Sequence, residues 1–248
     1  MSTVKTKGLI LRQSDFGETN RILTIFTKDF GIIKAVCYGA KSIRNKNSAA
    51  TQVMTYADFV LANTNKDLMS VQNAEIIESF FGVKEDIVKL SLCVYFADLV
   101  YSLINTNSRD DDMLSLILNS VYALSYKENS TEKVRAVFEL RAMALGGYMP
   151  NIYSCVKCNS SENITHFSAS NGGIVCDGCK NKADIAIDAD VYHTLSYILS
   201  SDTKKMLSFN VNDDVLNRVS DIAESYVGAF SDKRFGSLDY YKQMLTIN

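Results

Sequence analysis

The sequence contains no tryptophan, a single proline and two histidines among its 248 residues. One proline and 12 glycines are too few for a collagen-like, proline-rich or low-complexity chain. Two histidines supply little acid–base machinery. There is no Gly-x-x-x-x-Gly-Lys-Ser/Thr run for a P-loop, no Gly-x-Gly-x-x-Gly fingerprint and no Gly-x-Ser-x-Gly elbow. Asp29-Phe30-Gly31 spells a kinase triplet, but its companion motifs are missing, and it reads as a hairpin turn. No uncharged apolar stretch approaches the ~18 residues that span a bilayer. The patch Leu9-Ile10-Leu11 is too short for a signal-peptide core. Nothing here supports an enzyme, and the expected location is the cytoplasm.

What is present is ordinary in bulk and uneven in distribution. Apolar residues make up 47% and charged residues 22%, the balance of a globular protein rather than a disordered one. The length corresponds to about one to two domains and suffices to bury a core without disulfide staples. The net charge of −2 conceals an asymmetry: residues 1–50 hold nine Lys/Arg against three Asp/Glu, so the remainder is strongly acidic. A cationic end on an acidic chain points to two functional surfaces, one suited to a polyanion.

The hydrophobic period divides the chain. Short β-type runs occupy Lys5 to Gln13, Arg21 to Thr27, Ile32 to Tyr38, Tyr56 to Ala62 and Leu68 to Ile77. Five strands within some 80 residues suit a small antiparallel barrel, with an OB-fold the first candidate and an SH3-like barrel close behind. Between Gly39 and Thr55 the stretch Lys41 to Ser48 is too polar for a buried strand and reads as a loop or mobile arm. After Gly82 the period becomes helical, with Val83, Ile87, Leu90, Val94, Ala97, Tyr101 and Ile104 on one stripe. Apolar residues on a second side place this helix centrally in a bundle. A second helix follows Asp110-Asp111-Asp112, where acids cap a helix start, and a third runs from near Ser130 to Leu145. It stops at Gly146-Gly147, ahead of Pro150. Further helices are expected over Asp188 to Leu199 and Asp213 to Phe230, followed by a short tail.

Of six cysteines, Cys37 and Cys93 fall in a strand and a helix and read as small core residues. The other four form Cys155-x-x-Cys158 and, 17 residues on, Cys176-x-x-Cys179. Two such knuckles can close a tetrahedral thiolate shell around one Zn²⁺, which would be structural because four thiolates leave no open position for water. A thioredoxin-like pair needs only one Cys-x-x-Cys, and disulfides need an oxidising compartment. His166, between the knuckles, is an alternative fourth ligand, whereas His193 reads as structural or surface. Gly172-Gly173 and Gly178 stand where a positive φ is useful.

Particular segments resemble a known family. They are Gly8-Leu-Ile-Leu-Arg12, Phe16-Gly-Glu-Thr-Asn-Arg-Ile-Leu-Thr-Ile-Phe-Thr27, Gly31-Ile-Ile-Lys-Ala-Val36 and Gly39-Ala-Lys41. To these add Ala74 to Phe80, Phe138-Glu-Leu-Arg141, Leu145-Gly-Gly-Tyr-Met-Pro150, Phe167-Ser168 and Lys233-Arg-Phe-Gly-Ser-Leu238. Together they resemble the bacterial recombination-mediator family RecO over nearly the whole chain. The resemblance implies a non-enzymatic DNA repair protein that binds single- and double-stranded DNA and anneals complementary strands. It also implies partners: RecR, the C-terminal tail of single-stranded-DNA-binding protein and, indirectly, RecA. It places the protein at the nucleoid. One departure is that the loop after Gly39, often Arg-rich in the family, here spaces Lys41, Arg44 and Lys46 with polar residues.

The expected fold class is therefore α+β and multidomain. An OB-type barrel over 1–80 binds DNA, and an all-α domain over 81–248 carries an inserted four-Cys zinc module at 153–182. An OB-type surface tracks phosphates with Lys/Arg and stacks bases on aromatic rings. Arg12, Arg21, Lys34, Lys41, Arg44 and Lys46 are the candidate phosphate contacts. Stacking falls to Tyr38 or Phe16, although rings of this kind more often serve the core. Lys157, Lys180 and Lys182 leave open a direct contact of the zinc module with DNA or RecR. The rival from another class is a zinc-stabilised interaction scaffold that never touches DNA.

Overall fold

A computed structural model describes residues 3–65, 68–104, 108–231 and 234–247. Lys233, part of the C-terminal similarity, lies outside the described residues. The chain forms two compact units, Met1–Lys127 with Ser237–Asn248, and Glu128–Gly236.

The first unit contains strands β1 (Thr3–Phe16), β2 (Asn20–Thr27), β3 (Gly31–Cys37), β4 (Tyr56–Asn65) and β5 (Leu68–Glu78). They close a barrel in the order β1-β2-β3-β5-β4, and β4 returns to β1. Only β3 and β5 run parallel, at Ala35↔Met69 and Val36↔Ser70. This is the OB-type barrel. Leu23, Ile25, Ile33, Ala35, Phe59 and Leu61 fill its interior, with Cys37 among them as expected of a core cysteine. A register shift between Ile10 and Arg12 lets one long β1 serve two neighbours, β4 over Thr3–Leu9 and β2 over Gly8–Phe16. The Phe30-Gly31 turn is a hairpin turn. Thr27 Oγ1 donates to the Gly31 carbonyl at 2.8 Å and accepts from the Phe30 amide at 3.0 Å.

Helices α1 (Phe81–Lys84), α2 (Ile87–Leu103), α3 (Asp111–Tyr126) and α7 (Gly236–Ile247) belong to this unit. The helical stripe from Val83 is broken between α1 and α2, because Asp86 Oδ1 accepts from the amides of Val88 and Lys89 and caps a new start. Asp110 caps α3 by accepting from the Met113 amide at 2.9 Å, the role expected of the acidic run. The C-terminal segment is a helix rather than a short tail; it buries Tyr241.

The second unit holds α4 (Thr131–Leu145), β6 (Ile164–Ser168), β7 (Gly173–Cys176), β8 (Ile185–Ala186), α5 (Ala189–Ser200) and α6 (Asp213–Phe230). Ser130 caps α4, which ends at Gly146 with Gly147 at φ +93°. The Arg135 guanidinium, almost fully buried, bonds Glu139 at 3.2 Å, Glu224 at 3.0 Å and the Ser220 hydroxyl, joining α4 to α6. Arg141 donates to the carbonyls of Ile198 and Ser201 at the end of α5, where a cation complements the helix dipole. The three small strands form a sheet in the order β7-β6-β8. Their third strand lies beyond Lys182.

Candidate nucleic-acid interface and metal centre

The polar stretch after β3 is a folded loop, and its polarity has a structural cause. Asn45 donates to the Tyr38 carbonyl at 2.8 Å, and Ser48 donates to the Ala40 carbonyl at 2.8 Å. Asn47 is buried and accepts from the Ala74 amide on β5. Successive backbone turns link Gly39 to Ser42, Ser42 to Asn45 and Asn45 to Ser48. The loop is seated on the β1–β2 turn. The Lys41 amide donates to the Thr19 carbonyl at 3.0 Å, and the Gly39 amide, at φ +66°, donates to Asn20 Oδ1 at 2.9 Å. Of the two readings, loop or mobile arm, the structure shows a folded loop, hydrogen-bonded to the β1–β2 turn and to β5.

The six candidate cations separate into two places. Register puts Arg12, Thr24 and Lys34 opposite one another, in one outward row across β1, β2 and β3. Arg21 lies opposite Asp15 and Cys37 at the mouth, beside the loop that carries Lys41, Arg44 and Lys46. Burial pushes the Cys37 thiol up, and the Arg21 guanidinium pulls against it.

Two of the six are engaged. Arg12 Nη2 lies 2.6 Å from Asp98 Oδ1 on α2, its guanidinium sits 4.8 Å from the Tyr101 ring centroid, and Ser237 Oγ donates to the other Asp98 oxygen at 2.6 Å. Arg12 is therefore a structural tie between β1 and α2, and its partner Asp98 extends the tie to α7. Lys41 pairs with Asp15 at 2.9 Å and donates to the Gly17 carbonyl. Arg21, Lys34, Arg44 and Lys46 make no side-chain hydrogen bond or ion pair among the described residues, although Arg21 acts on the nearby Cys37 thiol. The candidate rings are not in the core. Tyr38 is 57% exposed and Phe16 47%, both at the mouth end, and Ile43 projects from the loop at 98% exposure. No sequence signal separates Arg12 from the free cations, because its partner Asp98 is 86 residues away.

The four knuckle cysteines converge in the second unit, with all four sulfurs within 4.8 Å of one another and Cys158 Sγ 3.6 Å from Cys176 Sγ. Four sulfurs at about 2.3 Å from a tetrahedral ion stand about 3.8 Å apart, so the cluster can hold a metal ion. The first knuckle closes through Asn159 N donating to the Cys155 carbonyl at 2.8 Å, with Asn159 at φ +60°. The second closes through Cys179 N donating to the Cys176 carbonyl at 3.0 Å. Lys157 Nζ donates to the Cys179 carbonyl, and Val156 N to the Ile174 carbonyl, which fastens one knuckle to the other.

Burial opposes ionisation of Cys155, yet the amides of Cys176, Lys157 and Cys158 and the Cys158 side chain hold its thiol down to about 6. Cys179 is pushed up to about 12, first by the Cys158 and Cys176 side chains. One thiolate opposes the next, and a divalent cation removes that opposition. His166 does not join the cluster; its Nδ1 lies 2.8 Å from the Thr165 hydroxyl. Gly178 does not use a positive φ, unlike Gly172 at +82°. Gly173 serves by close approach instead: a Cβ there would stand 2.2 Å from the Asn151 carbonyl oxygen.

Fold and site define a class: an OB-type barrel with exposed cations, continued by helices that carry a four-cysteine cluster able to hold a metal ion. Family models described as Recombination protein O N terminal and Recombination protein O C terminal match residues 1–80 and 84–239. A protein named DNA repair protein RecO from Acetivibrio thermocellus is 32% identical over 247 residues, covering 98% of each chain. Its namesake from Caldicellulosiruptor bescii is 31% identical over 244 residues, covering 98% of this chain and 99% of the relative. The chain belongs to the RecO family of DNA repair proteins. No helix among the described residues is long and apolar enough to cross a membrane.

Proposed function

We propose that this chain is a non-enzymatic cytoplasmic mediator of recombination, acting at the nucleoid through residues 1–80. It binds single- and double-stranded DNA and holds two strands on one positive surface for annealing. With RecR it helps RecA onto DNA coated by single-stranded-DNA-binding protein, whose acidic tail it engages. The observation that carries this reading is the mouth of the barrel. Arg21, Arg44 and Lys46, none in a side-chain hydrogen bond or ion pair among the described residues, stand there with the exposed rings of Tyr38 and Phe16. Phosphates meet the free cations and bases stack on the rings, so binding is independent of sequence and steeply salt-dependent. Arg12 and Lys41 contribute as structure rather than as contacts. The cysteine cluster holds one structural Zn²⁺, the ion that suits four thiolates.

The test is binding of a fluorescent single-stranded oligonucleotide across a salt series, comparing wild type with the Arg21→Glu/Arg44→Glu/Lys46→Glu variant. A steep slope that flattens in the variant is expected. Equal slopes would remove the mouth from the interface. A second reading, the protein-interaction scaffold, has its own supporting observation. Ile77, Phe81, Tyr122 and Tyr126 are exposed in the barrel's unit; the two tyrosine rings lie 5.1 Å apart, and Tyr126 donates to Glu78. Absence of any DNA binding at low salt would favour it.

A further inference from the structure

The four cysteines are unequally shielded. Cys155 is fully buried, Cys176 and Cys179 are half-buried, and Cys158 is exposed. Cys158 and Cys176 belong to different knuckles, and their sulfurs are 3.6 Å apart. Closing that gap to a bonded ~2.05 Å needs little more than a side-chain adjustment of ~1.5 Å. Cys155 is enclosed by its own turn, where Asn159 N donates to its carbonyl and its amide donates to the Ser160 carbonyl. An oxidant arriving from solvent therefore meets Cys158 first and finds Cys176 as the neighbouring resolving sulfur.

We infer that Cys158 and Cys176 form an oxidation site, at which hydrogen peroxide converts the metal-bound pair into a disulfide and releases the ion. This rests on the zinc reading above. The Cys158 sulfur attacks the peroxide O–O bond, becomes a sulfenic acid and releases hydroxide. The Cys176 sulfur then attacks the sulfenic sulfur and displaces a second hydroxide. Two thiolates lose two electrons, one S–S bond forms, the O–O bond breaks, and two solvent protons complete two waters. Cys155 and Cys179 remain as thiols, and two sulfurs no longer hold zinc in a closed shell. One covalent bridge, Cys158–Cys176, then joins the knuckles in place of a four-way tie, and Cys155 and Cys179 are released from the cluster.

The experiment oxidises the full-length protein with hydrogen peroxide, follows zinc release with a colorimetric chelator, and maps alkylated peptides. Cleavage after Lys157 and before Asp177 isolates a fragment carrying Cys158 and Cys176 alone. The expected result is that fragment lighter by two hydrogens, with Cys155 and Cys179 alkylated and zinc freed in step. Cys158→His keeps four ligands but has no sulfur to oxidise at that position, and should release zinc about tenfold more slowly. A disulfide within either knuckle, or equal release rates in the two proteins, would overturn the assignment. If Cys158→His does not fold, the wild-type peptide map decides alone. Protein purified without zinc refutes the metal reading itself; zinc retained under peroxide refutes only the oxidation site.

Discussion

A lysine or arginine on a strand tells little until its neighbours are known. Arg12 and Arg44 looked equivalent as candidate phosphate contacts, yet one is clamped to Asp98 and Tyr101 and the other ends in solvent. Their variants should separate. Arg12→Ala should lower stability by about 1 kcal/mol, because the pair is half-exposed and partly screened while the ring contact adds to it. It should leave the salt slope of DNA binding unchanged. Arg44→Ala should leave the denaturation midpoint in place and make the slope shallower by about one ion. Urea melts and the salt series, run on both variants, check the pair. Gly31 makes the same point for a residue without a side chain. Its φ is +66°, and a Cβ would stand 2.3 Å from the Ser108 carbonyl oxygen, so Gly31→Ala should cost well over 1 kcal/mol in a urea melt. Sequence marked the turn at Phe30-Gly31; the approach of Ser108 was invisible in it.

Among elements, legibility followed how local the cause is. The α6 helix was expected over Asp213 to Phe230 and spans those residues, since its amphipathic period and flanking signals all lie within it. The break between α1 and α2 was missed because the apolar stripe runs on through Asp86, whose capping role shows only in its bonds to Val88 and Lys89. The α7 helix was missed because it buries few side chains, and its attachment, Ser237 to Asp98, is remote in sequence. The stretch after β3 reads from its polarity as a loop or mobile arm; it is a loop, and its Asn and Ser side chains build its turns, which polarity alone does not reveal.

Caps also carry a pH dependence. Asp188, the N-cap of α5, accepts from the Val191 amide and from Arg218, and these bonds hold its carboxyl below the usual carboxylate range. A depressed folded value means that the contribution is present above the unfolded pKa and is lost as pH falls through the folded one. Asp188→Asn keeps a capping oxygen but has no charge for Arg218. The wild type should be the more stable at neutral pH, and the two urea midpoints should converge on acidification. A gap that stays constant with pH would show that the cap, and not the charge, is what differs.

At the scale of the whole molecule, two dividing lines are drawn by different physics. The hydrophobic period changes near residue 80, where strands give way to helices, and the family models meet between 80 and 84. The compact units instead divide at Lys127, because α1–α3 and α7 pack in the same unit as the barrel. Local pattern reports element type; compactness is set by contacts that join distant segments, such as Asp98 with Arg12 and with Ser237. This second division predicts what metal removal does. A structural zinc site contributes its binding free energy to folding, on the order of 10 kcal/mol in small zinc modules. The cysteine cluster lies wholly within Glu128–Gly236, so chelation should destabilise that unit first. Hydrogen exchange after treatment with a strong chelator should show protection lost in β6 and β7, then in α4 to α6, while β1 to β5 and α2 retain theirs. Thermal melts should change from one transition to two. DNA binding should survive, because the mouth of the barrel is built from residues of the other unit. Loss of protection throughout the barrel on chelation would show that the two units fold as one, and binding lost without barrel unfolding would bring the cysteine module into the DNA interface.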